Sequence, residues 1–304
     1  MKIVTEGLKF PEGPVAMNDG SIVLVEIGGE CITRVAPDGS KTKVADVPGG
    51  PNGLALGGDG NFYVCNNGGF EFRDDNGCYR PVAPSKDYET GRIEVVNPKT
   101  GELSRLYEEV NGKHLRGPND IVFDHNEGFW FTDLGKSRSR DRDHGGLYWA
   151  AADGSHIVEA AYPIPGGGNG VGLSPDGKTV YVAETETGRL WAWDVIGPGR
   201  LKKRPWPSPH GGYLVIQMPG YRRLDSLAVA ASGNIVVATL IEGEINTISP
   251  EGSVVDVRKM PDIMPTNICF GGEDLETAWI TLSTSGRLLK MQWREPGLKL
   301  KFAG

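Results

Sequence analysis

The sequence predicts an all-β fold, a six-bladed β-propeller with four-stranded antiparallel blades, and two observations carry that reading. Six times an acidic or amide residue stands ahead of a β-type run: Glu12, Asn52, Asn119, Asn169, Asp225 and Asn267 precede runs that begin near Ile22, Phe62, Trp130, Val180, Ile235 and Trp279, at offsets of 10, 10, 11, 11, 10 and 12 residues. The runs themselves recur at spacings of 40, 68, 50, 55 and 44 residues. Each interval is long enough for about four short strands, which is the period of a propeller blade.

The units share a grammar. Asn52-Gly53-Leu54-Ala55-Leu56 leads through Asp59-Gly60 into Phe62-Tyr63-Val64, and Asn169-Gly170-Val171-Gly172-Leu173 leads through Asp176-Gly177 into Val180-Tyr181-Val182. Period-two alternation bounded by Asp-Gly turns specifies antiparallel hairpins. Third strands are expected over Cys31 to Ala36, Arg92 to Asn97, Gly146 to Ala151, Arg189 to Val195, Glu244 to Ser249 and Arg287 to Trp293. No sustained i, i+3, i+4 apolar pattern competes with this reading. Residues 1–304 are expected to form one domain, because all-β architectures often exceed the usual domain length. One terminus must supply the outermost strand of the last blade, and both Lys2 to Leu8 and Leu298 to Phe302 are candidates.

Composition narrows the function classes. Hydrophobic residues are 38% and charged residues 23%, so the chain buries a sizeable core, and 44 glycines with 21 prolines supply many turns. A formal charge of -7 argues against nonspecific partnership with nucleic acid or an anionic membrane. Cys31, Cys65, Cys78 and Cys269 show no metal-binding spacing and read as small core residues, with a Cys65 to Cys78 disulfide kept open. The amino terminus lacks the apolar run of a signal peptide, so a cytoplasmic location is the default.

A polar residue held at one phase of a repeat occupies one place per blade, so a closed ring aims the set at its axis. Glu12 and Asp225 bring carboxylates and the asparagines bring carbonyl oxygens. Hard oxygen donors of that kind suit one divalent cation, Ca²⁺ before Mg²⁺ or Mn²⁺, with Zn²⁺ or Fe²⁺ as further candidates. A cation would also offset two carboxylates that otherwise repel in a narrow channel. Taken singly, Asn52-Gly53 and Asn169-Gly170 read as turn dipeptides; Glu12 at the same phase favours a site, since Glu is a poor turn residue. The long connections from Asn66 to Gly91 and from Leu134 to Gly145 should overhang the ring, with Phe70, Phe72, Tyr79 and Arg80 placed either as a lid or as simple loop packing. The basic stretch Arg200, Lys202, Lys203 and Arg204 should face the opposite side as solvated surface, and His114 and His144 read as solvated.

Phe10-Pro11-Glu12-Gly13-Pro14, Gly117-Pro118-Asn119-Asp120, Phe131-Thr132-Asp133, Asn169 through Gly177, and Leu224-Asp225-Ser226 stand in an order and spacing that resemble the gluconolactonase, senescence marker protein (regucalcin) and luciferin-regenerating family over essentially the whole chain. The resemblance implies a six-bladed propeller with one catalytic divalent cation in its channel, hydrolysing lactone esters. By motif position it implies Glu12, Asn169 and Asp225 as metal ligands and Asn119 as a fourth ligand or a substrate contact. Arg116 resembles a substrate-orienting arginine of some members, in a register that differs by one residue. It implies no second, structural calcium site, because Ala228, Ala230 and Ala231 stand where related phosphotriesterase propellers carry an acid. Asp225 is the expected general base, with Asp133 either supporting the site or serving as a turn residue. No Gly-x-Ser-x-Gly elbow is present, which argues against a serine hydrolase.

The leading expectation is therefore a metal-dependent lactonase acting on a sugar (aldono-)lactone. The alternatives are a phosphotriesterase-like or other-lactone hydrolase on the same metal site, and a noncatalytic calcium-binding or protein-binding propeller.

Overall fold

A computed structural model describes residues 1–126 and 128–302. Most of its strands form six antiparallel sheets of four or five strands that follow one another along the chain, and two two-stranded hairpins stand outside them. The first strands of these sheets are Pro11–Ala16, Pro51–Leu56, Pro118–Phe123, Gly168–Leu173, Arg223–Val229 and Pro265–Gly271. Each packs against the first strand of the sheet before and the sheet after, and the sixth packs against the first. That unbroken circuit is a closed six-bladed propeller, with the first strands lining the axis. No α-helix occurs among the described residues, and none is long and apolar enough to cross a membrane.

Strand chemistry explains the closure. The second strands are buried on both faces, so they read as continuous apolar runs. In Phe129-Trp130-Phe131 all three side chains are fully buried. Phe129 and Phe131 face blade 2, whereas Trp130 points the other way into blade 4. The core is thus six apolar layers, one between each pair of successive blades.

The amino-terminal strand closes the ring. Lys2–Thr5 pairs antiparallel with Arg287–Gln292, with Lys2 opposite Lys290 and Ile3 opposite Leu289, and completes blade 6. The other candidate does something different. Leu298 donates its N–H to Val229 O in blade 5 at 2.9 Å or less (2.8 Å), and Phe302 reaches Phe123 of blade 3 with ring centroids 5.3 Å apart. The tail is a strap across the end of the axis, not a blade strand.

The long connection from Asn66 to Gly91 is not irregular. It forms a hairpin, Phe70–Asp74 with Tyr79–Pro84, that leans out of blade 2 across blades 1 and 6. Phe72 stacks on Tyr79 at 4.7 Å and lies 5.5 Å from Phe10, and Tyr79 N–H donates to Thr284 O at 3.1 Å. The basic stretch also joins a sheet, since Arg200–Lys202 and Tyr213–Gln217 both pair with Arg189–Gly197. All four cysteines are free thiols, and Cys78, at the hairpin tip, is only half-buried, so it is not a core residue.

Candidate metal centre in the axial channel

Every first strand breaks register next to its polar residue. In blades 2 to 5 the bulge sets two residues against one: Asn52 and Gly53 against Cys65, Asn119 and Asp120 against Thr132, Asn169 and Gly170 against Ala183, Asp225 and Ser226 against Ala238. A bulge re-aims a side chain, and here it turns the polar residue toward the axis. Asn52-Gly53 and Asn169-Gly170 therefore lie within strands and are not turns. Their glycines serve close approach. A Cβ on Gly53 would stand 2.4 Å from Asn119 O, and one on Gly170 would stand 2.7 Å from Asp225 O.

Glu12, Asn119, Asn169 and Asp225 are all buried, at 2%, 4%, 3% and 8% exposure. Glu12 Oε2 accepts from Gly13 N at 2.7 Å and from Asn267 Nδ2 at 2.8 Å. Asn267 Oδ1 accepts from Ile268 N at 2.8 Å, so this amide orients Glu12 and its oxygen is already engaged. Asn169 Nδ2 donates to Thr185 Oγ1 at 3.1 Å, which fixes which end of the amide faces inward. Asn119 Oδ1 and Asn169 Oδ1 are buried and accept no hydrogen bond. Buried carbonyl oxygens without a donor cost free energy unless something else satisfies them.

The carboxyls are destabilised as anions. Burial first, then the charge of Glu12, pushes Asp225 well above its ordinary value, while the Asn169 amide and Arg223 pull it back. Burial likewise raises Glu12 against the pull of Asn267 and Gly13. Asp120 is a third carboxyl, absent from the sequence reading of the site. It is pushed up to about 8 by burial and by Glu12. Its oxygens accept from Ile121 N at 3.0 Å and Val171 N at 3.3 Å, so it braces blades 3 and 4 under the ring.

The donor set fits a hard divalent cation. Two carboxyls raised by burial, Asp225 also by the charge of Glu12, stand with two buried, unpartnered amide oxygens on the first strands, and one cation would answer both costs. Among the described residues no cluster of three His, Cys, Asp or Glu could hold an ion without amides.

In blades 1 to 4 the last polar residue of the second strand anchors the backbone that leads into the first strand. Glu26 accepts from Lys9 N, Asn66 from Gly50 N, Asp133 from Arg116 N and Gly117 N, and Glu184 from Gly166 N, at 2.7 to 2.9 Å. Asp133 closes the second strand of blade 3 and holds the backbone two and three residues ahead of Asn119. The others went unread, although a carboxylate or amide closing an apolar run is a visible signal. Thr132, fully buried, donates to Asn169 O and accepts from Asp120 N, tying blades 3 and 4. Arg116 has an exposed side chain, and its carbonyl accepts from Tyr88 Oη at 2.8 Å. His114 and His144 are exposed.

Comparison with known proteins places the chain in a family. Residues 10–284 match the family model described as SMP-30/Gluconolactonase/LRE-like region. The chain is 26% identical to diisopropyl-fluorophosphatase of Loligo vulgaris, over 97% of this chain and 93% of that one. It is 26% identical to lactonase drp35 of Staphylococcus haemolyticus, over 86% of this chain and 72% of that one. Regucalcin of Agrobacterium tumefaciens, described as a calcium-binding protein, superposes with a TM-score of 0.74 at 18% identity, covering 98% of this chain and 97% of that one. Members that are lactonases bring lactone hydrolysis within the family's range. With its propeller, its motif order and a match across nearly its whole length, the chain belongs to the SMP-30/gluconolactonase/LRE-like family.

Proposed function

We propose that the protein is a metal-dependent lactonase that opens a sugar (aldono-)lactone to the hydroxy acid, using one divalent cation, Ca²⁺ first, held by Glu12, Asn119, Asn169 and Asp225. The observation that supports this most is the pair of buried, unpartnered oxygens Asn119 Oδ1 and Asn169 Oδ1 beside two carboxyls that burial makes reluctant anions. When bound, the cation supplies Lewis-acid stabilisation of the negative charge that grows on the lactone carbonyl.

The residues of the chain do the rest. Asp225 takes the proton from the attacking water; burial raises its proton affinity above that of an ordinary carboxylate. The proton is then available to the departing alkoxide as the ring opens. Asn267 holds Glu12 in one orientation. Arg116, exposed at the loop side with its backbone fixed by Asp133 and Tyr88, orients polar groups of the substrate. The hairpin at residues 70–84 overhangs the loop side and screens the substrate from bulk water.

Chelator treatment should abolish hydrolysis of aldonolactones, and one added divalent cation should restore it. Asp225→Asn should leave the fold intact and cut turnover by roughly 10²-fold or more. Full activity in verified metal-free protein would end this reading. A second reading, phosphotriesterase-like hydrolysis at the same centre, is favoured by the near full-length similarity to diisopropyl-fluorophosphatase. A matched panel of lactones and organophosphate esters, compared by kcat/KM, separates the two.

A further inference from the structure

Behind the ligand ring the channel turns apolar. A cavity of about 160 Å³ occupies the axis at the end of the disc away from the hairpin, with Asp120 and Asn267 at its inner end. Its walls come from all six innermost strands, with Leu54, Ile121, Leu173, Leu227 and Ile268 among them. The carboxy-terminal strap roofs it. The strap leaves blade 5 where Ala230 bridges Gly297, and it ends with Phe302 against Phe123 and over Gly58 of blade 2. Blades 5 and 2 lie opposite each other in a six-membered ring, so the strap crosses the channel along a diameter.

The charges at the two ends of this cavity differ. The inner end carries Asp120, and the outer rim carries Lys299, Lys301 and His125. Among the described residues Asp120 is the one acid in the lining; the turn aspartates Asp59, Asp176 and Asp274 lie outside it and bond their own neighbours, Asn61 and Tyr63, Ser174 and Lys178 N, and Glu276 N. An anionic occupant therefore keeps its charged head at the lysines of the outer rim, away from Asp120, and lays its apolar body inward along the leucine and isoleucine walls. The size is that of a cavity that holds about one benzene ring or an equally short alkyl chain.

We infer that this chamber is a second binding site, separate from the metal centre, for a small amphipathic carboxylate whose ring or alkyl body of about six carbons fills the channel and whose carboxylate meets Lys299 and Lys301. The cavity, its apolar walls and its cationic rim are the same whether or not the protein is a lactonase. Burial of the apolar body supplies the affinity, and the rim supplies the preference for an anion.

The test uses the full chain, titrated by calorimetry with benzoate and, separately, with benzyl alcohol, in the presence and absence of added Ca²⁺. Wild type should bind one benzoate per chain, saturably, with or without Ca²⁺. Leu56→Trp, at a half-buried position in the wall, should fill the chamber and remove binding of both probes. Lys299→Gln with Lys301→Gln, both near the surface, should weaken benzoate by roughly fivefold and leave benzyl alcohol unchanged. Melting temperatures of the variants confirm that they fold, and the lysine pair keeps the test decisive if Leu56→Trp does not. Absence of saturable benzoate binding, equal loss of both probes in the lysine variant, or undiminished binding in folded Leu56→Trp would each overturn the inference. Benzoate that competes with a lactone substrate and ignores Leu56→Trp would place the carboxylate at the metal centre, which also overturns it.

Discussion

Lys136 Nζ donates to Asn67 Oδ1 at 3.0 Å across 69 residues of chain. It also donates to Gly69 O at 2.8 Å and sits 3.7 Å from the centre of the Phe70 ring. One lysine, 1% exposed, thereby joins the two long connections above the ligand ring, residues 66–91 of blade 2 and 134–145 of blade 3. The ammonium has two carbonyl acceptors and an aromatic face, which is how a buried cation is accommodated.

Lys136→Met should free the hairpin from the 134–145 connection. The expected result is a raised KM for the substrate with a smaller change in kcat, because the ligands themselves sit on the blades. Lys136→Arg should not rescue, since a planar guanidinium must replace a compact ammonium that stands 3.7 Å from the Phe70 ring and 5.1 Å from the Tyr88 ring. Steady-state kinetics on the two variants checks this, and an unchanged KM in both removes Lys136 from lid positioning.

The same residue gives a pH signature. Burial pushes Lys136 down from 10.5 to about 7, against the pull of Asp133 and Asp143. Between those values the unfolded chain holds a proton that the folded chain has released, so unfolding takes up a proton and stability rises with pH across that window. Below about 7 both states are protonated and the contribution is constant. Denaturant midpoints of wild type minus Lys136→Met, followed from neutral to alkaline pH, should rise; a flat difference contradicts the assignment.

Asp120 predicts the opposite slope in protein stripped of metal. Its folded-state value, about 8, is above its ordinary 3.8. A raised carboxyl gives stability that is complete below the unfolded value and is lost as pH climbs through the folded one. The melting temperature of chelator-treated protein should therefore fall between mildly acidic pH and pH of about 8, and Asp120→Asn should flatten that fall. Added Ca²⁺ should raise the melting temperature more at the upper end of the range, where the carboxyls bear charge.

Much of this was legible in the sequence, for a physical reason. A propeller repeats one strand order, so Glu12, Asn119, Asn169 and Asp225 keep phase with the apolar runs behind them, and phase in the sequence becomes position on the axis. Asp120 was hidden by the bulge. In a regular strand the neighbour of an inward residue points away, and only the two-against-one pairing with Thr132 brings both Asn119 and Asp120 into the channel. Lys136 was hidden because its partners, Asn67 and Gly69, are distant in sequence and offer an amide and a backbone carbonyl, not a charge. Ring closure was ambiguous because both ends of the chain are short segments of lysine and apolar residues. The difference lies in an available edge: Arg287–Gln292 faces Lys2–Thr5, whereas the tail meets Val229 and Phe123.

Close approach of the innermost strands makes Gly53 a sensitive test of the ring. Its backbone is not in a left-handed conformation, so only space forbids a side chain, and the obstacle is backbone: Asn119 O at 2.4 Å and Asp120 Cα at 2.8 Å. Gly53→Ala must push blade 3 outward at the ligand level. Overpacking of this kind costs about 1–3 kcal/mol of stability. Displacing Asn119 Oδ1 from the ring should also weaken the cation, so calorimetry should show at least a several-fold loss of Ca²⁺ affinity. Gly60→Ala is the control, because nothing lies within 4 Å of its Cβ and the cost there is confined to its positive φ of 78°.

Removing residues 1–5 and removing the strap from residue 298 onward should have unequal effects. The first deletion strips the outermost strand from blade 6, exposing the backbone edge of Arg287–Gln292 and uncovering Ile3 and Val4, which pack on the apolar layers at either side of that blade. The loss is roughly 3 kcal/mol from those contacts and the ladder hydrogen bonds. A bare edge also pairs with other chains, so the truncated protein should self-associate at concentrations where the parent does not. The second deletion removes no blade strand. It should lower the melting temperature less, leave the association state unchanged, and open the axial cavity to solvent. Light scattering and thermal melts on the two truncations decide the matter; equal destabilisation would mean that the strap, and not only the amino-terminal strand, holds the ring shut.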